Sequence, residues 1–117
     1  MSISLYYSGR RDILLNDNEM KLLSNLIIKY NYLMTEYVKD KTELFTLVSH
    51  DLLENGEIFS GSIKLPNKLN MVMKYLNNWC DLLTEIKLSI QNVIIKVNVD
   101  DHEIIWDDKL NKFDPQK

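Results

Sequence analysis

Ile3, Leu5 and Tyr7 alternate with Ser2, Ser4, Tyr6 and Ser8, the two-residue period of a strand with one buried face. Gly9 is expected to end it. The period then changes: Leu22, Leu23, Leu26, Ile27, Tyr30, Leu33, Met34 and Tyr37 recur every three or four residues. That spacing predicts a helix of five or six turns, with Asn16, Asp17 or Asn18 as its N-cap and Glu19 near the positive end of its dipole. Lys21, Asn25, Lys29 and Glu36 are left for solvent. Thr42 to Ser49 and Glu57 to Leu65 are rich in β-formers. With Ser49 to Leu53 and the turn Glu54-Asn55-Gly56 between them, they predict a hairpin with a long loop. Pro66 closes the second strand. From Asn67 to Ile90 the helical period returns in Leu69, Val72, Tyr75, Leu76, Trp79, Leu82, Leu83, Ile86 and Ile90. Asn92 to Val99 then sets Val93, Ile95, Val97 and Val99 against Ile94, Lys96 and Asn98, a last strand.

The order β-α-β-β-α-β predicts an α+β two-layer sandwich of ferredoxin-like topology, with two helices on one face of a four-stranded antiparallel sheet. One domain is expected over residues 1–117, with 100–117 as an acidic C-terminal extension. The outer sheet face then carries Ser4, Tyr6, Ser8, Lys96 and Asn98.

Composition narrows the function classes. The longest apolar runs hold three or four residues, far short of the ~20 that cross a bilayer, and no secretory signal is visible. A single cysteine, Cys80, fits a reducing compartment, so a cytoplasmic location is expected. Six of the seventeen acids but only three of the fourteen bases fall in residues 100–117, so this segment carries the whole net charge of −3. With Arg10-Arg11 the only basic pair, nucleic acid is not an expected partner.

Candidate chemistry is sparse. Asp100-Asp101-His102-Glu103 gathers four potential ligands or proton carriers, but consecutive residues of an extended chain point to opposite faces. The spacing matches neither zinc nor calcium sites and favours a solvated turn. His50-Asp51 could supply a base and an orienting acid without a nucleophile to serve. Cys80 lies in the second helix beside Trp79, which favours a structural thiol. Ser60-Gly61-Ser62 reads as a strand bulge or a close backbone approach. Ser8-Gly9-Arg10-Arg11 could hold an anion, though an ordinary loop is the better reading. No catalytic, cofactor or metal residues are assigned. Ile105, Trp106 and Phe113 can pin the last segment to the domain; alternatively Trp106 is an interface anchor rimmed by carboxylates.

Tyr6-Tyr7-Ser8-Gly9-Arg10-Arg11, Gly61-Ser62-Ile63-Lys64-Leu65-Pro66, Val99 through Asp107 and Phe113-Asp114-Pro115 together resemble a group of small bacterial proteins linked with predicted immunity proteins of polymorphic toxin systems. The resemblance runs nearly end to end and implies an inhibitor of a cognate toxin, often encoded beside it; it transfers no residue roles. Many such toxins are nucleases with basic grooves, which an acidic surface would enter in place of phosphates. Asp100, Asp101, Glu103, Asp107 and Asp108 would supply the charge and Trp106 the anchor. Two other readings remain: a small metal-assisted or acid-base hydrolase using Asp100, Asp101, His102 and His50, and a homo-oligomer paired through the outer sheet face.

Overall fold

The centre of the fold is β1 (Ile3–Arg10), whose alternation buries Leu5, Tyr7 and Gly9 and turns Tyr6 outward. The structure, a computed structural model, describes residues 3–37, 44–66 and 69–115, with the backbone alone for residues 36, 37, 50, 69 and 70. β1 pairs antiparallel with β2 (Glu57–Leu65) on one side and β3 (Ile94–Val99) on the other; β4 (His102–Glu103) extends β3. The sheet order is β2-β1-β3-β4. Two helices, α1 (Asp17–Tyr37) and α2 (Leu69–Ser89), complete the α+β fold. β5 (Ile105–Asp107) and β6 (Lys112–Asp114) form a separate ribbon packed on α2.

Hydrophobic burial explains why the layers meet. Leu23, Tyr30 and Met34 of α1, Val72, Leu76, Trp79, Leu83 and Ile86 of α2, and Leu5, Ile63, Ile95 and Val97 of the sheet join one core. Leu22 and Leu33, assigned to the apolar stripe by their spacing, sit at its exposed margin. α1 begins with a capping box: the Glu19 N–H donates to Asn16 Oδ1 (2.8 Å) and the Asn16 N–H to Glu19 Oε1 (3.1 Å), satisfying two end groups reciprocally. Trp79 is fully buried against Phe45 (5.6 Å between centroids), which stacks on Tyr7 at 4.0 Å. Its indole N–H has no acceptor among the described residues.

Among the described residues, the expected hairpin has no strand ladder. Residues 42 and 43 lie outside the described residues, and 44–49 form no strand. Their backbone groups are claimed elsewhere: Asn31 accepts from the Phe45 N–H (2.7 Å) and donates to its carbonyl (3.0 Å), and the Tyr7 hydroxyl donates to the Thr46 carbonyl (2.6 Å). One bond, Val48 N–H to the Ser60 carbonyl at 2.8 Å, joins the segment to β2. The fourth strand is therefore β4, from the segment read as a tail.

Both strand glycines mark close approaches. β1 runs through Gly9 to Arg10, where the register shifts; a Cβ at Gly9 would overlap the Phe59 ring. At Gly61 the ladder is continuous opposite Tyr7; a Cβ there would strike the Thr46 carbonyl and the Tyr7 ring. Among the described residues, no helix is long and apolar enough to cross a membrane.

Candidate functional site

The acidic ending folds into two turns. In the first, which joins β3 to β4, Asp100 adopts a left-handed backbone (φ 51°), a conformation that Asp tolerates better than most residues. It is tied reciprocally to Ser4: the Asp100 N–H donates to the Ser4 carbonyl (2.9 Å) and the Ser4 N–H to Asp100 Oδ1 (3.1 Å). Asp101 and Glu103 are exposed beside it, and Glu103 lies opposite Asn98. The second turn joins β5 to β6. Asp107 is only 6% exposed, and its Oδ1 accepts from the N–H groups of Lys109 (2.8 Å) and Leu110 (3.1 Å). Asn111 closes the turn with φ 55°. Asp108 is exposed there.

What pins the ribbon is Phe113 and Ile104 rather than Ile105. Phe113 is 3% exposed, and its N–H donates to Thr84 Oγ1 (3.1 Å), whose hydroxyl donates to the Cys80 carbonyl (2.7 Å). The buried Ile104 N–H donates to the Val97 carbonyl (2.9 Å). Ile105 is 53% exposed. Trp106 is half-buried, edge-on to Phe113 at 5.1 Å, with Lys87 Nζ 5.3 Å from its ring centroid. Most of its surface is thus committed inside the molecule.

Of the nominated residues, the structure therefore gathers Asp100, Asp101 and Glu103 at one turn, while Asp107 and Asp108 occupy another. His102 is exposed on β4, opposite Val99. His50 begins a short 3₁₀ turn (His50–Leu52), and its side chain lies outside those described. No group of three His, Cys, Asp or Glu side chains among the described residues is placed to hold a metal ion.

Two other candidates resolve into structural roles. Burial, with a smaller contribution from Asp81, pushes the Cys80 thiol up to about 12, so it stays protonated at neutral pH and reacts poorly. Ellman's reagent at pH 8 is expected to label Cys80 only as fast as the protein unfolds; immediate labelling of the native protein would contradict its burial. Arg11, read as a possible anion ligand, spends every donor within the protein. Its guanidinium meets Glu19 twice (2.7 and 2.8 Å) and the carbonyls of Ile13 (2.8 Å), Leu14 (3.0 Å) and Gln91 (3.1 Å). It holds the β1–α1 loop against the end of α2, where Asp12, Asn16, Gln91 and Asn92 line a cavity of about 440 Å³.

Sequence reasoning overlooked Thr84, the hydroxyl that receives the ribbon, because a lone Thr within a helix gives no signal. The cap at Asp107 was accessible in principle, since Asp and Asn four residues apart favour a turn.

Comparison with protein-family models, with curated proteins and with solved structures gives no match in any of the three. The fold and its surface define an α+β chain with one charged turn between β3 and β4 and another between β5 and β6.

Proposed function

We propose that this protein is a non-enzymatic binding module, specifically an immunity protein that neutralises a cognate bacterial toxin in the cytoplasm by covering its active site. The observation that carries this reading is the fixation of the acidic segment. Charges on hydrogen-bonded turns are set in place before a partner arrives, which lowers the ordering cost of binding and steers a basic partner electrostatically. A nuclease with a basic groove is the partner class that such a surface suits. The exposed carboxylates of Asp100, Asp101, Glu103 and Asp108 supply the charge. Asp107 and Trp106 shape the ribbon that presents Asp108. The reading includes the ferredoxin-like order, with residues 44–48 in the outermost place beside β2, supported by the Val48–Ser60 bond.

On this reading a toxin encoded beside the gene would be the partner to purify. In stopped-flow binding, Asp101→Lys combined with Glu103→Lys is expected to slow association about tenfold at low salt and to flatten its salt dependence. Association unchanged in a variant that melts like wild type would reject the steering role.

A further inference from the structure

We infer that the outer sheet face centred on Tyr6 is the docking surface for a basic protein, an inference that rests on the protein-binding reading above. Strand register, rather than sequence proximity, assembles it. Ser62, Tyr6, Asn98 and Glu103 form one row across all four strands, and Lys64, Ser4 and Asp100 form the next. Tyr6 is 49% exposed. It borders a shallow depression of about 180 Å³ lined by Ser8, Ser60, Lys96 and Asn98.

Two properties point to a protein surface of positive charge. First, an exposed tyrosine among serines and an asparagine is the composition of protein-recognition surfaces: the ring gives large contact area for two rotatable bonds, and the small polar groups adapt their hydrogen bonds. Second, Asp100, Asp101 and Glu103 close one end of the face, and neither Asp101 nor Glu103 is ion-paired among the described residues. Arg10 lies at the opposite end of β1 from that corner, paired with Glu54 (3.2 Å) and Glu57 (3.8 Å). Lys64, in the row of Ser4 and Asp100, and Lys96, on the same strand as Asn98, give the face a polarity that fixes the partner's orientation. A nucleic acid is disfavoured because its phosphates would meet three carboxylates. The apolar groove between α1 and residues 47–53 offers no comparable argument for what would cover it.

The test uses the ¹⁵N-labelled full chain titrated at low salt with cytochrome c as a basic protein probe. Amide shifts are expected to concentrate at Tyr6, Ser8, Asn98 and Glu103, with Tyr6→Ala and Glu103→Lys each weakening binding about fivefold or more and Asp17→Lys leaving it unchanged. Shifts centred on Asp17 and Asp51, affinity indifferent to Tyr6→Ala, or no binding would overturn the assignment. So would the same shifts with a single-stranded oligonucleotide. Toxin neutralisation separates the two readings. If Tyr6→Ala with Glu103→Lys still neutralises, the immunity reading stands and this surface is wrong; if cytochrome c docks here and no adjacent toxin is neutralised, the surface stands and the immunity reading fails.

Discussion

Phe113→Ala is expected to cost about 3–5 kcal/mol in urea unfolding, as truncation of a buried aromatic typically does, and to free the β5–β6 ribbon from α2. Three contributions are lost together. The ring leaves the core, where it is 3% exposed. Its edge-on contact with Trp106 at 5.1 Å disappears. The bond from its N–H to Thr84 at 3.1 Å then depends on a strand with nothing to hold it down. Ile105→Ala is the matched control: its side chain is largely in solvent, so the change should stay within about 0.5 kcal/mol. Equal losses for the two variants would mean that the ribbon is not pinned as described. Because the ribbon presents Asp108, the same truncation should reduce partner steering by way of the fold, without removing any charge.

Arg11→Met is expected to lower the melting temperature on the order of 5–10 °C, the range for losing a hydrogen-bonded ionic hub in a domain of this size. Methionine preserves much of the side-chain stem but abandons three carbonyls and both Glu19 oxygens. The pH dependence is the sharper signature. The Arg11 hydrogen bonds, followed by the Asn16 N–H, pull the Glu19 carboxyl from 4.5 down to about 2. A carboxyl lowered on folding stabilises fully above its unfolded value, and that contribution fades as pH falls from 4.5 toward 2. The gap in melting temperature between wild type and Arg11→Met should therefore be widest near neutrality and narrow through that window. A gap that stays constant from pH 6 to 2.5 would remove Glu19 from the account.

The elements legible in the sequence are those whose partners are imposed by periodicity. α1, α2, β1 and β3 each bury one face, and the period names that face: Val93, Ile95 and Val97 turn inward, while Tyr6, Lys96 and Asn98 border the outer depression; β2 was legible from its β-forming residues instead. Residues 44–49 misled because their composition favours a strand while their bonding is decided by Asn31, a polar side chain on another element that takes both backbone groups of Phe45. The acidic ending was legible as a charged surface, and Phe113 as one of its pins, but its two turns and its short strands were not. Its docking depends on the Thr84 hydroxyl and on Ile104 rather than on any extended pattern. The two turns that separate its carboxylates follow from left-handed residues at Asp100 and Asn111, which linear charge counting does not see.

The reciprocal bonds between Ser4 and Asp100 join positions 96 residues apart, and that span has a consequence for biosynthesis. β1 leaves the ribosome before the strands it pairs with, and one of them, β3, is made only after α2 is complete. The nascent chain must therefore carry its central strand with an open edge until β3 has been made. Contacts this distant in sequence slow folding, and an unpaired apolar strand is prone to pair with the wrong chain.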